Sequence, residues 1–294
     1  MVFGLPVARR LDAGAFLSVI LRDRYSCRLG SPDWLPPLPH DVTASSGPPG
    51  RFRRARIAAV QAETSSIAAN VERLHERMAR AAGRAGRRAD EITLVAVSKS
   101  FPAQAIRAAY EAGVRQFGES RVQEWESKQP KLVALDATWH LIGHLQSNKA
   151  RRAVHLFDRA DSVDSLALSQ KLDSAAANEG KRLPILIEVH LGDEATKSGV
   201  AESDLVSLAE AAVALPHLEL RGLMAIPPYI ADPESLRPYF RRLRELHVGL
   251  SSTLKRPLSV LSMGMSHDFE VAIEEGATEI RVGTALFGER HANP

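Results

Sequence analysis

From residue 92 onward the chain alternates eight times between a short β-rich run and a helical run, which restricts it to folds built from parallel βαβ units. The strands are expected at 92–97, 114–117, 139–142, around 159–163, and at 184–190, 220–226, 258–261 and 279–282. Between them, helices are expected at 102–112, from Arg121, after Ser147, and at 165–178, 202–214, 234–250 and 268–275, with Gly113, Gly180 and Gly276 just past three of the ends. Eight parallel strands can close on themselves and leave no edge, whereas an open doubly wound sheet leaves two. The count therefore predicts an α/β fold, a single (β/α)8 TIM barrel. Upstream, Ile67, Val71, Leu74 and Met78 form the apolar stripe of an extra N-terminal helix that ends by Gly83 or Gly86.

Charge divides the chain at about residue 56. Residues 1–56 hold nine Arg, no Lys and four Asp, a formal +5, and since the whole chain is +3 the remainder is −2. The main domain at 57–290 thus lacks the basic footprint of a nucleic-acid binder. The first 56 residues carry seven of the seventeen prolines and read as a disordered or poorly packed basic extension, either a transit peptide or a start placed too far upstream. A faint signal-peptide pattern at 9–21 is followed at once by Arg22, Asp23 and Arg24, with no small-residue cleavage site. No apolar run is long enough for a membrane span. Cys27 is the single cysteine, so a disulfide framework and a thiolate metal site are not expected, and a reducing, cytoplasmic setting is.

In a barrel of this kind function lies at the C-terminal ends of the strands, which directs attention to Lys99, Glu119, His144, His190, Ile226, Met265 and Gly283. Gly264 and Gly283 let backbone N–H groups approach a phosphate, with Ser266 and Thr284 as hydroxyl donors and Ser266 at a helix start. Read blandly, the glycines only permit tight turns and Ser266 only caps its helix. Lys99 ends a strand, where partial desolvation favours a neutral amine; alone it also reads as an ordinary solvated lysine. A phosphate cup and a lysine at one mouth make the minimal site for pyridoxal 5′-phosphate (PLP). His140 and His144 are four apart but straddle a strand and its loop, and no metal is expected. Gly118, Glu119 and the run Gln146-Ser147-Asn148-Lys149 read equally well as caps and loop hydrogen bonds.

Several segments together resemble the pyridoxal phosphate homeostasis proteins: Val95-Ala96-Val97-Ser98-Lys99, Phe117-Gly118-Glu119, Trp139-His140-Leu141-Ile142-Gly143, residues 145–149, Lys197-Ser198-Gly199, 221–227, 261–266 with Asp268, and 281–288. They run in the family's order across about 57–290. The resemblance implies a barrel similar to the N-terminal domain of alanine racemase, with PLP held as a Schiff base on Lys99. It implies a phosphate site at Ser266, Gly283 and Thr284, helped by the Gly264 and Met265 backbone, with Arg281 facing the pyridine nitrogen. It further implies a vitamin B6 homeostasis role without established turnover, apo-PLP enzymes as recipients, and a monomer.

Two positions depart from the family's pattern: Ser120-Arg121 stand where Asn-Tyr is usual, and His144 stands where Pro is usual. The rival reading is a PLP-dependent racemase or decarboxylase, which needs a second proton-transfer group opposite Lys99. Tyr229 and His144 are the sequence's candidates for it. A third reading is a Schiff-base aldolase acting on a sugar phosphate.

Overall fold

Apolar runs such as Leu183–Glu188 are strands buried on both faces, and they form only where helices cover one side and a packed barrel interior the other. The computed structural model describes residues 49–192 and 198–289, with side chains from residue 64 onward. Its strands are β1 Thr93–Val97, β2 Gln116–Glu119, β3 Thr138–Leu141, β4 Arg159–Val163, β5 Leu183–Glu188, β6 Leu218–Met224, β7 Val260–Ser262 and β8 Glu279–Val282. All pair in parallel in chain order, and β1 pairs β8 to close the barrel.

The outer layer contains α1 Pro49–Arg84, α2 Ala103–Glu111, α3 Val122–Lys128, α4 Ala150–Leu156, α5 Leu166–Asn178, α6 Leu205–Ala214, α7 Arg237–Thr253, α8 Phe269–Glu274 and the single turn α9 Thr284–Phe287. The α1 stripe of Ile67, Val71, Leu74 and Met78 is buried, and the helix packs against α2, α8 and α9. The expected basic extension lies outside the described residues up to position 48; from Pro49 the backbone is already α1. Among the described residues no helix is long and apolar enough to cross a membrane.

β4 and β8 occupy their expected ranges, while other strands shift. β2 begins two residues late because Val114 closes the end of α2, its N–H donating to Ala109 O at 3.0 Å beside the left-handed Gly113. β6 starts at Leu218, earlier than expected, with its Gly222 against β7; a Cβ there would lie 1.7 Å from Val260 O. That contact admits only glycine. The α9 turn had no sequence signal of its own, yet it lines the mouth.

The foot of the barrel holds a polar plug. Arg159 and Glu279 open β4 and β8, strands diametrically opposed in an eight-stranded ring, and Arg159 Nη2 donates to both Glu279 oxygens at 2.7 and 2.6 Å. Arg159 also grips Asp161 through Nε and Nη2 at 2.6 and 2.8 Å, and His140 sits between Asp161 (3.2 Å) and Gln116 (2.7 Å). His140, Asp161 and Glu279 converge as a metal set would. The Arg159 guanidinium already hydrogen-bonds every oxygen of the two carboxylates, so a dication would compete with it for them.

Candidate functional site

Closing the barrel puts the end of β1 beside the end of β8. Val95 pairs Arg281 and Ala96 pairs Val282, so Lys99, two residues beyond β1, stands next to the loop that follows Val282. A Cβ on Gly283 would lie 3.4 Å from Val97 O, and the rings of Phe101 and Phe287 stack at 4.7 Å, tying the chain just after Lys99 to α9. Lys99 itself is half-buried.

The loops after β7 and β8 are joined through Ser266. Its Oγ accepts the N–H groups of Gly283 (3.1 Å) and Ala285 (3.3 Å). Met265 N–H donates to the Asp268 carboxylate, and Arg281 N–H donates to Gly264 O at 3.0 Å. Gly264 has φ +91°, and a Cβ there would meet Ala272 Cβ at 2.6 Å, so the loop is a cradle that only glycine makes. Thr284 is exposed at the first position of α9, where its N–H has no intrahelical acceptor. The expected residues Gly264, Met265, Ser266, Gly283 and Thr284 therefore do meet at one rim, beside Lys99. Ser266 does not cap α8 in this structure; it bridges the two loops, because Asp268 stands directly before that helix.

Arg281 is buried inside the mouth. Its Nη1 donates to Ser262 Oγ at 2.7 Å and its Nη2 to Ala225 O at 2.9 Å, reaching across β7 to the end of β6. Burial lowers its basicity, opposed by Glu279, Asp161, Glu188 and Asp268. A guanidinium in that place is a fixed donor that cannot accept a proton.

Of the two candidate proton carriers, Tyr229 is 82% exposed, its ring tilted against His267 at 5.7 Å, and is not enclosed within the mouth. His144 is on the exposed rim, its Nδ1 3.1 Å from Asp164 Oδ2. His140 and His144 thus have separate partners, one in the foot and one on the rim.

Glu188, which the sequence reading passed over, is the more telling residue. It ends β5, is 5% exposed, and burial pushes its carboxyl up to about 7 against the pull of Arg281 and His144, with Asp164 adding to the rise. The available signal was one carboxylate at the C-terminal end of an otherwise apolar strand. Raised above its unfolded value of 4.5, Glu188 is protonated in the folded chain while ionised in the unfolded chain, so it subtracts stability as pH rises from about 4.5 to 7. Glu188→Gln should therefore match the wild type at pH 4 and exceed it at pH 8 by about 2–3 kcal/mol, read by urea unfolding. A constant difference across that range would contradict the assignment.

Lys197 of the sequence motif lies outside the described residues; its neighbour Gly199, at φ +116°, packs on His190 N, where a Cβ would come to 2.7 Å.

The profile of the family described as alanine racemase, N-terminal domain, matches residues 64–291. A pyridoxal phosphate homeostasis protein of Aquifex aeolicus is 45% identical over 220 residues, covering 75% of this chain and 96% of the relative. One of Pseudomonas aeruginosa is 46% identical over 226 residues, covering 77% and 96%. Among solved structures, PipY of Synechococcus elongatus PCC7942 with PLP bound superposes with a TM-score of 0.68 at 41% identity, covering 76% of this chain and all of that one.

Proposed function

Because the chain belongs to the pyridoxal phosphate homeostasis proteins, on a barrel of the alanine racemase N-terminal type, we propose that it binds PLP at this mouth and serves intracellular PLP homeostasis. The observation that supports the reading is the pairing of β1 with β8, which brings the chain at the half-buried Lys99 next to the loop of Gly283 and Thr284, where the Thr284 N–H lacks an intrahelical acceptor and the Ser266 and Thr284 hydroxyls are donors. The residues suit the group. Gly264, Met265, Ser266, Gly283 and Thr284 would receive the phosphate, Lys99 would hold the aldehyde carbon covalently, and Arg281 would face the pyridine nitrogen as a donor.

When bound, PLP supplies an aldehyde that amines capture reversibly, and a ring that withdraws electrons best when its nitrogen is protonated. Arg281 works against the second property, since it can offer a hydrogen bond but no carboxylate to hold a proton on the ring. The rim residues Thr284 and His144 are exposed, so water reaches the site. Both features favour holding and releasing the cofactor over turning substrates over. Apo-enzymes that require PLP are the recipients this role implies, and a monomer with an open rim suits transfer to them.

The enzyme reading gains one specific support, since Glu188, whose carboxyl is pushed up to about 7, stands at the same mouth within the electrostatic reach of His144 and Asp164. Measuring racemisation and decarboxylation of amino acids separates the two. The carrier reading predicts rates no higher than those of free PLP, and a Glu188-dependent rate would reverse it.

The direct test is borohydride reduction of the protein incubated with PLP, followed by peptide mass mapping. A reduced pyridoxyl adduct on Lys99, formed without any sugar phosphate, is expected. Trapping that requires a sugar phosphate and no PLP would instead establish the aldolase reading.

A further inference from the structure

The segment around Lys99 is held from both sides by groups that belong to neither the cradle nor the Arg281 pocket. On one side, Ser98 N–H donates to Gly118 O at 2.9 Å and Ser98 Oγ donates to Glu119 Oε1 at 2.8 Å, while Ser98 O accepts Phe101 N–H. On the other side, Ser100 takes φ +67°, one of only two non-glycine residues among those described with positive φ, and its N–H donates to Glu124 Oε1. A serine in the left-handed region is strained and persists only where its surroundings impose it.

One side chain connects the two grips. Lys128, on the last turn of α3 and 12% exposed, donates to Ser98 O (3.0 Å), Glu119 Oε1 (2.9 Å) and Glu124 Oε1 (2.7 Å). Its three donors are thereby spent on the carbonyl just before Lys99 and on the two carboxylates that hold Ser98 and Ser100. Arg121, one of the positions departing from the family pattern, adds a further positive charge acting on Glu124.

The cluster is poorly arranged for stability alone. Glu119 is fully buried, its Oε2 has no hydrogen-bond partner, and burial raises its carboxyl despite the nearby ammonium. A carboxyl paired on one side only costs more than an apolar replacement would.

We infer that Lys128, acting through Glu119 and Glu124, is the positioning residue for Lys99, fixing the backbone on both sides of it so that its amine is presented to the mouth. The inference rests on Lys99 as the attachment residue. An amine offered in a fixed direction reacts faster than one that must search, and a displacement of about 1 Å costs up to about a hundredfold.

The test compares Lys128→Met, Lys128→Arg and Glu124→Gln with wild type in the full chain, with folding checked by thermal melting. The first readout is the rate at which the visible PLP band appears. The second, on cofactor-free protein, is the labelling of Lys99 by acetic anhydride relative to exposed Lys171 on α5. Lys128→Met should slow both by about ten- to a hundredfold, Glu124→Gln should slow both less, and Lys128→Arg should restore most of the rate. A purely structural role would lower the melting temperature and leave both rates unchanged. Wild-type rates in folded Lys128→Met and Glu124→Gln would overturn the inference. Should Lys128→Met fail to fold, Glu124→Gln decides alone: a slowed rate supports it and a wild-type rate overturns it. A wild type that forms no PLP band at all would instead sink the function proposed above, leaving the labelling ratio to judge Lys128.

Discussion

Lys99→Ala should remove the borohydride-reducible PLP band entirely while leaving weaker, phosphate-dependent binding. The two halves of the site rest on different elements. Lys99 follows β1, whereas the cradle is made by the loops after β7 and β8, tied to each other through Ser266. Deleting the lysine side chain leaves Gly264 at φ +91° and the N–H groups around it undisturbed. Apparent affinity should therefore fall by about two orders of magnitude, ~3 kcal/mol, and what remains should be competed by inorganic phosphate. Ser266→Ala makes the reverse change. It frees two N–H groups from their acceptor and loosens the cradle, yet keeps the amine, so trapping on Lys99 should persist at higher PLP concentration. Titration of the two variants by absorbance and fluorescence separates the contributions. A reducible band that survives Lys99→Ala would move the attachment to another lysine.

The alternation of β-rich and helical runs was enough to give the barrel, because each βα step carries its own signals: a Pro before α2, Gly113, Gly180 and Gly276 beyond helix ends, and an apolar run for β5. Boundaries were harder to place where an apolar residue packs outside the ladder. Val114 and Leu258 are both buried, read as strand, and lie in loops. The positions of Lys99, Met265 and Gly283 were legible because strand direction says where the strands end, whereas Arg281 lies inside β8 and was pointed to only by the family resemblance. Glu188 and the foot network were not legible, because their meaning comes from residues far apart in sequence. Arg159 and Glu279 are 120 positions apart and meet only because β4 and β8 face each other across the closed ring. Lys128 was equally silent, since its spacing from Glu124 is that of an ordinary helical ion pair. Its further reach to Ser98 and Glu119 exists only once β1 and β2 are paired.

Arg159→Met should produce the largest loss of stability. The guanidinium is the common partner of Asp161 and Glu279, each almost wholly buried; against the effect of burial, Arg159 and His140 hold the Asp161 carboxyl well below its usual range, and Asp161 and Glu279 raise the arginine above its own. Removing the cation leaves the two carboxylates in the barrel foot without their hydrogen-bonding guanidinium, with His140 on Asp161 and only the longer-range charge of Arg281 to offset them. Breaking a buried pair in this way costs about 3–5 kcal/mol at pH 7, much more than an exposed ion pair. The pH dependence identifies the cause. Asp161, depressed in the native wild type, contributes stability that is present above about 3.8 and is lost as pH falls below that value. Without Arg159 the fully buried Asp161 keeps its desolvation cost but loses its main counter-charge, so the mutant's penalty is full at neutral pH and shrinks as acid neutralises that carboxylate. Urea unfolding at pH 7 and pH 4.5 should therefore show the gap between the proteins narrowing toward acid. Because the foot lies at the opposite end of the barrel from Lys99, the folded fraction of the mutant should still trap PLP on that lysine. A gap that stays constant with pH would mean that Arg159 stabilises the barrel by packing its aliphatic stem, not by neutralising Asp161 and Glu279.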